Sequence, residues 1–272
     1  MVSGENLEYC QGMSNRDHIS EFLLGHWRQE TRCQNLPAEL QPASKADAYA
    51  VQALIERTSA APLWGWKIAA TSVAGQKHIG VSGPLAGRYI AERVVRSGGT
   101  VPFGRNHMKV AEVEFAFRLG ADLPPRQTPY TEDEVFLAVA SLHPAIEIPD
   151  SRYDRFETVG EFALIADNAC AHWLVVGDAA PDLWRDLDLA DFTPTGRVIG
   201  KGEWRGKGSN VLGSPRLALT WLANELSALG IGLKAGQTVT TGTCLVPMVI
   251  AAGDRVEGDF GVLGQVAVTM GQ

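Results

Sequence analysis

What the chain has little of narrows the field before any motif is read. It has four cysteines in 272 residues, Cys10, Cys33, Cys170 and Cys244, and no C-x-x-C pair. A zinc knuckle and a thioredoxin-type redox centre are therefore unsupported, and cysteines this scattered fit a reducing cytoplasm. No apolar run approaches the roughly 20 residues that a membrane-spanning helix needs. There is no long basic run, and the net charge is −7, which argues against a nucleic-acid partner. The opening MVSGENLEYCQG has neither a basic nor an apolar region. It is expected not to be a secretory leader, and Met13 reads as an alternative start. No internal repeat and no linker stand out.

With 45% hydrophobic and 20% charged residues, the composition is that of an ordinary globular chain long enough for a sizeable core. A negatively charged protein that takes a small anion needs local positive charge at its site, from a metal or a buried lysine.

The most informative stretch is Met108–Gly120, MKVAEVEFAFRLG. It alternates with period two, as a strand does. Ala111, Val113, Phe115, Phe117 and Leu119 share one face; Val110, Glu112, Glu114, Ala116 and Arg118 share the other. Glu112 and Glu114 thus stand roughly 6–7 Å apart on one face. Such a pair is either the wet side of an antiparallel sheet or part of a cation site. A cation site needs a third oxygen ligand. Glu147, in HPAIEIPDSRY (143–153), is a candidate because Ile146 and Ile148 flank it, and a carboxylate in an apolar run is costly unless paired or metal-bound. The alternative is an edge strand ended by Pro149.

Trp64–Thr71 reads as a strand whose only charge is Lys67. Apolar neighbours disfavour an ammonium, so its pKa is expected to fall toward neutrality, as a proton shuttle requires. A lysine with its tip in solvent is the plainer reading. Two helices precede it. Ser14 with Asp17 forms a capping-box pattern for a helix to about Arg32, and Ser44 with Asp47 starts a second to about Arg57. Ser82–Tyr89 reads as a Gly/Pro loop containing Arg88, which either meets a substrate carboxylate or lies on the surface. Thr131 caps a helix to about Leu142, and Val159–Ala166 is helical. Ala171–Gly177 is a strand, and Thr195–Arg205 a hairpin. Ser214–Pro215 opens a helix with an inner stripe of Leu217, Trp221, Leu222, Leu226 and Leu229. The strands Thr238–Thr241, Val246–Ala251, Arg255–Gly258 and Val262–Met270 follow. Thr241-Gly242-Thr243 offers N–H and hydroxyl donors to a carboxylate, or is a β-bulge. Asp167 and Asn168 line a site or cap a turn. Strands dominate the second half, which points to one α+β domain with a closed or rolled mixed sheet.

The segments GWKIAATS (65–72), EVEFAFRLG (112–120), HPAIEIPDSRY (143–153), IADNACAHWLVVG (165–177), NVLGSPRLALTWLANEL (210–226) and TGTCLVPMVIAAGD (241–254) resemble a known family. It is the 2-keto-4-pentenoate hydratase / 2-oxohepta-3-enedioate hydratase / 4-oxalocrotonate decarboxylase group of the fumarylacetoacetate hydrolase superfamily. The resemblance implies a fumarylacetoacetase C-terminal-like mixed β-sheet roll or barrel with flanking helices. It implies a small helical cap over residues 1–60 and a catalytic unit over 61–272. It implies Mg²⁺ or Mn²⁺ on Glu112, Glu114 and Glu147, a catalytic Lys67, and Thr71, Arg88, Asp167 and Thr243 around the substrate. The implied reaction, in the catabolism of aromatic compounds, adds water to a 2-hydroxy-2,4-dienoate to give a 4-hydroxy-2-oxo acid. Vinylogous decarboxylation, or an inactive or acylpyruvate-hydrolase-like relative, is the alternative. C–C hydrolysis is less favoured, because His78 is the only histidine near Lys67. Relatives often carry an acid in the loop at 82–89, and this chain has Leu85 and Ala86 there. A cytoplasmic homo-oligomer is implied by resemblance alone.

Overall fold

The computed structural model describes residues 12–272; Cys10 and the rest of the opening segment lie outside the described residues. Helix α1 (Asn15–Gln29) starts at the expected capping box, with Ser14 and Asp17 satisfying each other's backbone N–H. It stops before Arg32 because Glu30 adopts a left-handed conformation at φ 51°. Helix α2 (Lys45–Ala53) is capped by Ser44 and tightens into a 3₁₀ turn over Leu54–Thr58, short of a continuous helix to Arg57.

Strand β1 (Gly65–Ala69) is followed by α3 (Val73–Ile79) and β2 (Leu85–Tyr89). The expected loop at 82–89 is thus largely a fully buried strand, antiparallel to β1; local Gly/Pro signals gave way to pairing with a neighbour. Short strands β3 (Val94–Arg96) and β4 (Thr100–Val101) lead to β5 (Val110–Leu119), α4 (Glu132–Leu137) and β6 (Val139–Ile148). Then come α5 (Glu161–Ala166), β7 (Trp173–Val176), the hairpin β8 (Thr195–Val198) and β9 (Gly202–Arg205), and α6 (Pro215–Ala228). Strands β10 (Thr238–Thr243), β11 (Met248–Val249), β12 (Arg255–Asp259) and β13 (Gln265–Met270) complete the chain. The expected strand at 246–251 shrinks to β11.

The strands form two mixed sheets. One runs β2-β1-β10-β5-β6-β7-β3, with β11 also on β5; the other runs β4-β13-β12-β8-β9. The apolar face of β5 is the centre of the core. Ala111, Val113, Phe115, Phe117 and Leu119 are at most 1% exposed. Phe115 meets Phe260, just past the end of β12, edge-to-face, ring centroids 5.0 Å apart. Helix α6 contributes Ala218, Leu219, Leu222, Ala223 and Leu226 to the same core. Its buried stripe is rotated from the expected one, leaving Leu217 45% exposed. Helices α1 and α2 share a smaller cluster with Tyr153, Ala163 and Ala166, while Tyr49 of α2 reaches the main core.

Candidate active site

The second face of β5 is also covered, and it carries the acids. Antiparallel pairing sets Glu112 directly opposite Glu147 of β6, with Glu114 two residues along on the same side. One carboxylate oxygen from each of the three lies within 4.8 Å of the others. Glu114 and Glu147 are 0% exposed, so the wet-face reading of the E-x-E strand fails; Glu112 is only partly buried.

Across β10 on the same sheet, Lys67 of β1 supplies the cation. Its Nζ lies 3.0 Å from Glu147 Oε1 and donates to the carbonyl of Ala169 at 3.1 Å. Burial opposes its charge. Glu147, Glu112 and Glu114 outweigh that and hold the ammonium above its usual range. The expected fall toward neutrality is therefore corrected: apolar sequence neighbours did not reveal three acids arriving from other strands. Burial, then Glu147, pushes Glu112 up to about 7, with Lys67 opposing. Burial, Glu147 and Glu112 raise Glu114 well above the carboxylate range.

The hydrogen-bond ledger of the cluster is incomplete. Glu114 accepts the Gly242 N–H at 2.8 Å through one oxygen. Its other oxygen and the Tyr89 and Thr240 hydroxyls are buried without a hydrogen-bond partner, and neither Glu147 oxygen has a partner besides the Lys67 ammonium. Tyr89 lies beside Glu147, and its own ionisation is suppressed first by burial and then by the acids. Buried polar atoms are normally satisfied, and orphans converging from several strands mark a place built for something else. An all-oxygen donor set of three carboxylates suits a hard divalent cation. These residues fit such an ion, and among the described residues they form the one cluster of this kind.

Two backbone features hold the constellation. Asn168, Ala169 and Cys170 are consecutive left-handed residues, at φ 59°, 49° and 61°. Such strain persists only when the surroundings impose it. Here Asn168 clasps the edge of β2, accepting the Arg88 N–H at 2.7 Å and donating to the Arg88 carbonyl at 2.8 Å. The turn thereby presents the Ala169 carbonyl to Lys67. Gly87 lets it approach: a Cβ there would lie 2.5 Å from the Asn168 carbonyl and 2.9 Å from Lys67 Cγ. At the other end, β10 changes register between Thr240 and Thr243. Gly242, at φ 96°, turns its N–H onto Glu114. The donor anticipated in Thr-Gly-Thr thus serves the protein's own carboxylate.

Of the residues singled out from sequence, Lys67, Glu112, Glu114 and Glu147 converge. Thr71 packs against Gly242 and Thr243 is the register partner of Glu114, although the Thr243 hydroxyl donates to the Leu245 carbonyl at 2.8 Å. Arg88 and Asp167 go elsewhere. Arg88 lies on the opposite face of β2 from the Lys67 side, over the Trp66 ring at 4.4 Å, and binds Glu56 at 2.8 Å and Gln52. Asp167 is buried against Arg152 and accepts from Ser151 at 2.9 Å. Both bind protein partners that no local pattern announces. Sequence reading missed Tyr89, Thr240 and the left-handed turn. Only the period-two relation of Tyr89 to Gly87 was there to be seen.

No family model matches the chain. Curated relatives do. A 2-keto-4-pentenoate hydratase of Burkholderia vietnamiensis is 34% identical, over 82% of this chain and 84% of the relative. A 2-oxo-hept-4-ene-1,7-dioate hydratase of Escherichia coli is 31% identical, over 92% of this chain and 95% of the relative. Among solved structures, 4-oxalocrotonate decarboxylase from Pseudomonas putida G7, complexed with magnesium and adipate, superimposes with a TM-score of 0.84 at 26% identity, covering 93% of this chain and 96% of that one. A face of three converging acids beside a buried lysine, on a sheet shared with that decarboxylase and in a sequence a third identical to those hydratases, places the chain in the 2-keto-4-pentenoate hydratase family of the fumarylacetoacetate hydrolase superfamily.

Proposed function

We propose that this protein is a metal-dependent hydratase that converts a 2-hydroxy-2,4-dienoate to a 4-hydroxy-2-oxo acid. The observation that carries the reading is the convergence of Glu112, Glu114 and Glu147 within 4.8 Å of one another, with a buried ammonium 3.0 Å from Glu147. Glu112, Glu114 and Glu147 would hold Mg²⁺ or Mn²⁺, and such an ion would supply Lewis-acid stabilisation of negative charge developing on the substrate. Lys67, kept charged by the acids, is the proton donor. It delivers a proton to the terminal carbon of the dienol and is reprotonated by the C2 hydroxyl as that becomes a ketone; the resulting enone takes the oxygen of water at C4 and a proton at C3. The Ala169 carbonyl fixes where the Lys67 proton sits. Burial of Lys67 excludes competing solvent from that transfer.

Residues 1–60 read as a helical cap and 61–272 as the catalytic unit of a cytoplasmic homo-oligomer. A second reading, vinylogous decarboxylation of a 2-oxo acid, draws support from likeness to the decarboxylase structure and would use the same cluster. Purified protein given 2-hydroxypenta-2,4-dienoate should consume its absorbance, stop in EDTA and recover with Mg²⁺ or Mn²⁺. CO₂ release from 2-oxohex-3-enedioate without hydration of the dienoate would favour the second reading. Full activity of Glu112→Gln, or indifference to EDTA, would overturn both.

A further inference from the structure

Away from the acid cluster, a cavity of about 160 Å³ opens between the end of α1, the segment 102–106 and the start of β7. That is room for roughly ten water molecules or one small organic acid. Its walls are unusually cationic for a chain of net charge −7, with Arg32, Arg93, Arg105 and Arg152 all lining it. Most of the charges there are spoken for. Arg152 is bound to Asp167, and Arg32 lies 3.9 Å from Asp154. Of the two acids on the wall, Glu30 accepts the Arg105 N–H at 3.2 Å, and Asp150 accepts the N–H groups of His107 at 2.7 Å and Met108 at 3.2 Å.

Arg93 and Arg105 are the exceptions, neither with a carboxylate in ion-pair range among the described residues, since Glu30 meets only the backbone N–H of Arg105. Arg93 is the half-buried one of the two. Its guanidinium lies over two indoles, 5.1 Å from the Trp27 ring, which Arg152 shares at 4.4 Å, and 4.6 Å from the Trp173 ring. Ring contacts engage the flat faces of a guanidinium, and the in-plane N–H edge is the part that recognises a ligand. That edge matches the oxygens of a carboxylate. One of its N–H groups meets His172 Nε2 at 3.1 Å. Arginine can only donate, so His172 accepts there and carries its own proton on Nδ1, a buried atom with no partner. Burial, then Arg152, pushes Arg93 down to about 10, with Glu30 opposing.

We propose that this cavity is a second ligand site, for a small organic monocarboxylate held by the N–H edge of Arg93, with Arg105 at the rim and Phe103 against the apolar body. Arg105 is exposed, so replacing it leaves the fold intact.

Benzoate is the probe. It is titrated into the Mg²⁺-loaded protein and followed by indole fluorescence and calorimetry. The expected result is one saturable site per chain, weakened about tenfold or more by Arg105→Ala, abolished by Arg93→Met and unchanged by Glu112→Gln. The last arm separates this site from benzoate chelated at the acid cluster. No saturable binding, binding indifferent to Arg105→Ala, or binding lost in Glu112→Gln would overturn the proposal. Should Arg93→Met fail to fold, the Arg105→Ala and Glu112→Gln arms still decide it.

Discussion

Replacing Glu114 by Gln should make the metal-free protein more stable while destroying its response to metal. Glutamine keeps the shape of the side chain and an acceptor oxygen for the Gly242 N–H; it removes one charge from a cluster of three acids facing one lysine. With the carboxylate oxygens no more than 4.8 Å apart, each like-charged pair repels by about 3.5 kcal/mol at an effective dielectric of about 20. Protonation relieves part of this, since Glu112 is pushed up to about 7 and Glu114 is raised well above its usual range. A folded pKa above the unfolded one means stability that is present at low pH and lost as pH rises through the folded value. The variant's advantage is therefore absent near pH 4 and grows as pH rises past the ordinary carboxylate range. After that relief a gain of about 1–3 kcal/mol is expected in EDTA at pH 8, a Tm rise of roughly 3–9 °C for a chain of this size. Saturating Mg²⁺ at a hundredfold excess over Kd should stabilise the wild type by about 2.7 kcal/mol and the variant far less. Thermal melts at pH 5 and pH 8, with and without Mg²⁺, measure all four quantities. A variant that melts below the wild type in EDTA at pH 8, or that gains as much from Mg²⁺, would refute the reasoning.

Lys67→Met should lower kcat by roughly 10²–10⁴ through loss of the proton donor. It should leave Mg²⁺ affinity undiminished by calorimetry, because the ammonium competes with a cation for Glu147; weakened affinity would contradict that competition. Mg²⁺ affinity itself should fall as pH drops below about 7, since Glu112 and Glu114 must shed protons to bind. Titrations in two buffers of different ionisation enthalpy should show proton release, and none would count against these acids as ligands. Gly242→Ala should cost about 2–5 kcal/mol in urea denaturation, from a left-handed backbone and an overpacked contact. Its Cβ would sit 2.3 Å from Thr71 Oγ1. A near-neutral alanine would mean that the turn relaxes freely.

How much of this was legible depended on whether a residue's partner lies within reach of a local pattern. The period of β5 is local, so both its faces and the pairing of Glu112 with Glu114 could be read directly. The apolar neighbours of Glu147 marked it as a buried acid, but its place opposite Glu112 is a matter of strand register. The partners of Arg88 and Asp167 were not legible because Glu56, Gln52 and Arg152, which engage them, come from other elements. The segment at 82–89 was misread for the same reason, as β2 owes its form to β1 and to the clasp of Asn168. The direction of the Lys67 shift was likewise non-local, set by acids on β5 and β6.

The features that escaped local reading are those that defy local preference. Three acids share a covered sheet face, three successive non-glycine residues turn left-handed, and two hydroxyls are buried unsatisfied. Each costs stability, and each is placed where it bears on Lys67 or a carboxylate. The core face of the same strand breaks no such rule. Violations drawn from several elements and gathered around one set of carboxylates and one lysine are what a function imposed on an otherwise self-consistent fold looks like. The strain in the Asn168–Cys170 turn is then not incidental. It keeps the Ala169 carbonyl on the Lys67 ammonium, so the proton donor stays aimed while its acidic neighbours take up a cation.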